Sequence, residues 1–238
     1  MRDILGMLDA RAGRDSAEVR VGWSEIAFAD GRVWHASPAS RDGGVQRRLF
    51  HSLAGDWMGQ DRRRGFPYTW IPGHLADARD RISPRSFLAA PRAAAEDTEQ
   101  RHPRCPTVLH DESIKRGVQR ASQIRVDELK EDFPWVDTLM GPLRGLVVPC
   151  SFREVEQRWN ETHALVHIEK RVRNQSERLP PAHESDGAPG LRRDLEELGV
   201  FMQMNDKRVN VPDVFRVGYG LGRRGGVKPL RTEPERRA

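Results

Sequence analysis

Arg85 is the residue of this sequence whose type and position point most directly to chemistry. It follows Ser83 and Pro84, which favour a helix start, because serine can cap the first N–H groups and proline fits the first helical position. The free N–H groups of a helix N-terminus attract phosphate, and a guanidinium there adds a cation with paired donors. Arg85 is therefore our candidate for a nucleotide-sensing contact, although an ordinary surface arginine fits the same position.

Two further sets of basic residues are candidates for contact with a polyanion or a partner protein. Arginine suits bidentate phosphate contacts better than lysine does. Solvated loops that bind nothing carry similar clusters, so both interpretations stay open. The first set is Arg62, Arg63 and Arg64, and the second is Lys207, Arg208, Arg223 and Arg224.

A phosphate-binding loop for catalysis is missing from the sequence. Glycines and basic residues occur together between Gly222 and Lys228, but their order differs from that of a P-loop, and Pro229 stands where a helix should begin. No Gly-x-x-x-x-Gly-Lys-Ser/Thr sequence occurs in the chain. We predict no catalytic residue, and no cofactor unless a partner supplies a core domain that binds ATP.

Histidines offer two patterns for metal binding, and both are weak. His163 and His167 are four residues apart on a predicted helix, while His102, Cys105 and His110 share a segment that contains prolines. Neither set has the spacing of an established zinc motif. Because histidines on helix surfaces are far commoner than metal ligands, we predict no metal site.

Composition predicts a polar protein with a divided core. Of the 238 residues, 37% are hydrophobic and 32% are charged. The net charge of +5 leaves nucleic acid open as a partner. Two cysteines cannot form a disulfide scaffold, and no apolar run reaches membrane-spanning length. The first residues lack the long apolar region of a signal peptide, so we expect none. We therefore expect a soluble, cytoplasmic protein without a membrane partner.

Hydrophobic periodicity predicts a mostly helical chain. Helices are expected over 46–58, 111–132 and 151–173, the last starting at a capping box. Pro91 should kink or end the helix that begins at Ser83, because proline removes a hydrogen bond inside a helix.

The C-terminal third combines a short helix with a hairpin. Leucines at helical spacing predict a helix over 191–198 that stops at Gly199. The apolar segments 200–204 and 208–211 flank a polar turn, which predicts a β-hairpin. A helix followed by such a hairpin is typical of a winged-helix unit.

The motifs together resemble the C-terminal lid-like and winged-helix region of bacterial P-loop ATPases of the AAA or STAND kind. The resemblance covers roughly residues 46–228 and implies that Arg85 is a sensor arginine that reaches the phosphates of a nucleotide in an ATPase core. The chain has no such core, so a truncated gene, a decayed remnant or a partner-dependent subunit would each explain it. The motifs are Trp57-Met58-Gly59, Arg63-Arg64-Gly65, Ser83-Pro84-Arg85-Ser86-Phe87-Leu88 and the hairpin between Leu198 and Pro212.

The expected fold is mostly α with minor β, and the expected function is that of a non-catalytic regulatory or interaction module. Its partner would be a protein, or the missing ATPase core. The alternative is a free-standing winged-helix DNA-binding protein, and a metal-dependent enzyme using His163 and His167 is a third class. The expected regions are an uncertain segment 1–45, a lid-like block 46–100, a helical middle 101–180, a winged-helix unit 181–222 and a basic tail 223–238.

Overall fold

Helices dominate the computed structural model of the chain, which describes residues 43–224 and 227–229 and the backbone of 28–29 and 33–34. The strands within these residues form two small antiparallel sheets of two strands each. The prediction of a mostly α fold with minor β is confirmed. Most of the uncertain segment 1–45 and part of the basic tail 223–238 lie outside the described residues.

The elements are numbered in chain order. The first sheet pairs β1 (Phe28–Ala29) with β2 (Val33–Trp34), and the second pairs β3 (Met202–Gln203) with β4 (Val209–Asn210). The α-helices are α1 (Gly43–Ala54), α2 (Pro67–Leu75), α3 (Pro84–Arg101), α4 (Asp111–Asp132), α5 (Pro134–Met140), α6 (Phe152–Glu161), α7 (Ala164–Arg173), α8 (Gly187–Glu197) and α9 (Asp213–Gly218). Short 3-10 helices span Arg62–Arg64, Gly141–Leu143 and Glu184–Asp186.

The chain divides into two compact units. Of the described residues, those up to residue 71 and those at 91–117 belong to the first unit, and those at 72–90 and from 118 onward belong to the second. Buried apolar residues of the first unit include Met58, Ile71 and Leu109.

The second unit holds the larger set of buried side chains. Trp159 is fully buried, its indole N–H donates to the carbonyl of Leu139 at 2.8 Å, and its ring lies parallel to that of Phe201. Trp135 is also buried and donates to the carbonyl of Leu179 at 2.8 Å. Because both indole N–H groups have acceptors, these large rings are buried without an unsatisfied donor.

Helix α3 continues through Pro91, so this proline does not end the helix, and a kink at Pro91 stays a prediction. Proline at this position lacks the N–H that would bond the carbonyl of Phe87. Buried Ala90 and Ala94 on either side supply the packing that holds the helix together.

The predicted helix over 151–173 is two helices, α6 and α7. The capping box at Ser151 and Glu154 begins α6 as expected. Thr162 then bonds back to the carbonyl of Arg158 at 3.0 Å, and His163 adopts a left-handed conformation with φ of 51°. Threonine that hydrogen-bonds its own turn weakens a helix interior, and histidine is among the residues enriched in left-handed geometry. The helix therefore ends and restarts at this point.

The predicted C-terminal hairpin is present. β3 pairs antiparallel with β4, with Met202 opposite Asn210, and Cys150 pairs antiparallel with Val209 on the other side of β4. β4 thus lies between β3 and the segment that leads into α6. Assignment of this arrangement to the winged-helix class stays a prediction.

Candidate functional site

The first turn of α3 carries Arg85 on the surface of the second unit. The carbonyl of Ser83 accepts the N–H of Phe87 at 2.9 Å, which forms the first turn of the helix. The Arg85 side chain is 72% exposed. We refer to residues 83–88 as the Arg85 turn.

Glu128 on α4 is the carboxylate that faces the Arg85 turn. Its carboxylate lies 3.7 Å from Nε of Arg85, and it also accepts from Nη1 of Arg125 and from the hydroxyl of Ser83, each at 3.3 Å. A 3.7 Å ion pair on an exposed guanidinium is weak. Since Arg125 and Ser83 also bind Glu128, Arg85 can leave this carboxylate without stranding it.

Two large apolar side chains are exposed in the same turn. Phe87 is 38% exposed and Leu88 is 53% exposed. Single exposed apolar residues are ordinary on a protein surface, but aromatic residues and arginine are enriched at protein interfaces, and Phe87 and Arg85 are of these types. The Arg85 turn therefore offers both apolar contact and a fork of hydrogen-bond donors.

The three consecutive arginines of the first unit form a 3-10 turn. Asp61 caps it by accepting the N–H of Arg63 at 2.7 Å, and the three arginines are exposed. Arg64 borders a cleft of about 670 Å³ that is also lined by Asp111 and Glu112. Because the cleft mixes both signs of charge, it does not select a polyanion.

The basic residues of the hairpin and tail differ in how far they are neutralised. Lys207 lies in the hairpin turn with φ of 66°, and Arg224 is exposed. Arg208 instead binds Asp206 at 2.7 Å, and Arg223 binds Asp213 at 3.1 Å. Hydrogen bonds from the backbone and side chain of Arg208 lower the pKa of Asp206. Two of the four candidates therefore already have carboxylate partners.

Helix α8 mixes charges on its surface, as its sequence predicts. Arg192 binds Glu196 at 2.8 Å, and its guanidinium lies 4.9 Å from the ring centre of Phe152. Arg192 is thus held by an acidic neighbour and an aromatic ring, whereas Arg193 on the same helix is exposed.

Sequence reasoning missed a group of ion pairs centred on Asp213 in the second unit. Asp213 receives Nε of Arg216 at 2.8 Å and Nη1 of Arg223 at 3.1 Å, and His74 lies 3.4 Å away. Arg216 is only 1% exposed and also donates to the carbonyl of Val227 at 2.7 Å. We call these four side chains the Asp213 cluster: Asp213, Arg216, Arg223 and His74.

The positive charges of the Asp213 cluster lower the pKa of its carboxyl group. Burial would raise the pKa of Asp213, but the hydrogen bond and charge of Arg216, with the charges of His74 and Arg223, outweigh burial and lower that pKa. The spacing of Asp213 and Arg216 by three residues could have suggested their ion pair. Nothing local in the sequence signals that His74 joins them.

Among the described residues, the histidines considered for metal binding do not come together in groups of three ligands. His163 and His167 are both exposed, and His163 sits at the break between α6 and α7. The rings of His102 and His110 stack with centres 3.7 Å apart. Within the described part of the chain, the donor atoms of these histidines and Cys105 do not come together as a metal-binding group.

The buried Cys150 is poorly suited to nucleophilic chemistry. Burial, followed by the negative charge of Glu154, raises the pKa of its thiol to about 11. The thiolate is the reactive form, and this environment disfavours it.

Comparison with protein-family models, curated proteins and solved structures found no match for the chain. Among the described helices, none combines the length and apolar character that crossing a bilayer requires.

Proposed function

We propose that this chain is a non-catalytic interaction module that binds the nucleotide-containing core of a P-loop ATPase through the Arg85 turn. The observation that carries the proposal is the joint exposure of Arg85, Phe87 and Leu88 in one helical turn. The resemblance of the surrounding sequence to ATPase lid regions indicates the kind of partner.

The apolar side chains and the arginine of the Arg85 turn would make different contacts in such a complex. Phe87 and Leu88 would be buried against the partner, because removing apolar surface from water favours association. Arg85 would leave Glu128 and donate to phosphate oxygens of the partner's nucleotide, where a charge-assisted bidentate contact is stronger than its 3.7 Å ion pair. The chain would then associate more tightly with the nucleotide-bound partner.

DNA binding is the second candidate, and the arrangement of charge makes it less favourable. Lys207 and Arg224 are exposed, which supports contact with the DNA backbone. Asp206, Asp213 and Glu196 hold three of the neighbouring arginines. A DNA-binding surface should instead present such cations to phosphates.

Site-specific crosslinking in the native cells tests the proposed partner. A photoreactive amino acid at Phe87 should crosslink to a protein that contains a P-loop sequence. The matched control carries the same group at Val166 on α7, which is 46% exposed but distant in sequence from the Arg85 turn. The proposal requires that a P-loop protein crosslinks to the group at Phe87 and does not crosslink to the group at Val166.

Other outcomes of the same experiment would reject the proposal. Crosslinks at Phe87 only to proteins without a P-loop would exclude an ATPase core as the partner. The DNA-binding alternative predicts instead that purified chain binds duplex DNA with an affinity that falls steeply with salt and with Lys207→Ala.

A further inference from the structure

One histidine and two carboxylates of the second unit converge at the end of α8. They are His183, Asp194 and Glu197, and each offers a donor atom within 4.8 Å of the others'. His183 precedes the 3-10 turn that leads into α8, while Asp194 and Glu197 lie three residues apart and therefore on one face of that helix. The group thus brings together two separate segments of the chain.

The buried Asp194 is oriented by the loop that carries His183. One of its oxygens accepts the backbone N–H of His183 at 3.0 Å, and the other lies 2.7 Å from Nδ1 of the same residue. Asp194 is 4% exposed, whereas the His183 side chain is 29% exposed. The backbone bond fixes the carboxylate while solvent still reaches the imidazole.

The close approach of this loop to α8 depends on Gly190. A Cβ atom at this position would lie 1.9 Å from the carbonyl oxygen of His183, so only glycine fits. Gly190, Asp194 and Glu197 recur at spacings of four and three residues on one side of α8, facing the loop. The position of His183 relative to the two carboxylates is therefore set by backbone packing.

The carboxylate of Glu197 can bind a ligand, whereas that of its neighbour Glu196 is occupied by an ion pair. Glu196 binds Arg192 at 2.8 Å, but Glu197 makes no ion pair with any described residue. Its carboxylate can therefore bind a cation together with His183 and Asp194 without giving up another ion pair.

We propose that His183, Asp194 and Glu197 bind a divalent transition-metal cation of the zinc type. Imidazole nitrogen combined with carboxylate oxygen suits zinc better than magnesium or calcium, which prefer oxygen ligands alone. Nδ1 of His183, one oxygen of Asp194 and the Glu197 carboxylate are the three protein ligands. The remaining position is open to water, as in zinc sites that are not purely structural.

Metal binding displaces the hydrogen that Nδ1 of His183 and Asp194 share, which leaves to solvent, and it otherwise requires only small movements. Zinc bonds of roughly 2.0–2.2 Å in a tetrahedral arrangement place neighbouring donor atoms about 3.3 Å apart. The 2.7 Å separation between His183 and Asp194 would widen by about half an ångström, and Glu197 would move inward. The hydrogen bond from the backbone N–H of His183 to Asp194 is retained, and it then orients Asp194 as a metal ligand.

Calorimetric titration of the purified full chain with Zn²⁺ tests the site. One equivalent should bind, and Glu197→Gln should weaken that affinity at least about tenfold, because it removes a charged ligand on the surface without disturbing the core. His183→Ala should abolish the same binding event. Mg²⁺ in place of Zn²⁺ should give no comparable signal.

Two matched controls separate this site from other zinc-binding side chains. Glu196→Gln changes the adjacent carboxylate and should leave Zn²⁺ affinity unchanged, as should His167→Ala on α7. Binding that survives both His183→Ala and Glu197→Gln would overturn the proposal, as would the absence of any stoichiometric binding by the unmodified chain. Equal losses in Glu196→Gln and Glu197→Gln would also overturn it, because they would indicate a general charge effect.

Discussion

Two arginines of the second unit each face a carboxylate, but their surroundings differ. Arg216 is 1% exposed, lies 2.8 Å from Asp213 and donates also to the carbonyl of Val227. Arg85 is 72% exposed and lies 3.7 Å from Glu128. A buried guanidinium without its partner is costly, whereas an exposed one returns to water.

The difference between the two arginines indicates which charges can serve a partner. In the Asp213 cluster, releasing Arg216 would break contacts that hold the C-terminal segment around Val227. At the Arg85 turn, by contrast, Glu128 on α4 still accepts hydrogen bonds from Arg125 and Ser83 when Arg85 leaves. The number of basic residues in a sequence therefore says less about binding than the number that can change partners.

The largest effect is expected from Asp213→Asn. This change leaves the buried guanidinium of Arg216 without a carboxylate, and we expect the free energy of unfolding to fall by about 3 kcal/mol. Urea denaturation followed by tryptophan fluorescence measures the change, because Trp135 and Trp159 are buried in the same unit. Asp206→Asn in the exposed hairpin is the matched control and should have little effect. Similar losses in both variants would contradict the contrast between buried and exposed pairs.

Acid should weaken the same cluster. The pKa of Asp213 is lowered in the folded protein, so its contribution is complete above the unfolded pKa of about 3.9 and disappears as pH falls through the folded value. We expect the unmodified chain to lose stability more steeply than Asp213→Asn below about pH 4. Other carboxylates with lowered pKa, such as Asp97 and Glu154, are present in both proteins, so the difference isolates Asp213. If the free energy of unfolding fell with pH equally in the two proteins, the ionised Asp213 would not contribute to stability in this way.

The sequence predicts local features of both regions better than their long-range contacts. Ser83 and Pro84 correctly indicate the start of α3, and the capping box at Ser151 correctly indicates the start of α6. The outcome at Pro91 depends on packing around Ala90 and Ala94, which periodicity alone does not weigh against proline's lost hydrogen bond.

The break at His163 and the cluster at Asp213 show two further limits. Thr162 and His163 are weak helix formers, so the break had a local signal that the regular apolar spacing around it obscured. The contact between His74 and Asp213 joins positions 139 residues apart, and no spacing rule reaches that far. Likewise, the pairing of Arg85 with Glu128 needs two helices whose packing a single sequence does not specify.

The smallest effect on stability, and the most specific effect on binding, is expected from Arg85→Ala. Because the side chain is largely exposed, its loss should change the free energy of unfolding by no more than about 0.5 kcal/mol. If Arg85 contacts nucleotide phosphate, MgATP should strengthen association with the P-loop protein crosslinked at Phe87 by about fivefold or more, and Arg85→Ala should remove this increment. Titrations with and without MgATP measure it, and Arg120→Ala on the exposed face of α4 is the control. An increment that persists in Arg85→Ala would mean that the turn docks without sensing nucleotide. The apolar contact would then account for binding. Arg85 and Arg216 would in that case differ in exposure, but Arg85 would not exchange its carboxylate for a nucleotide phosphate.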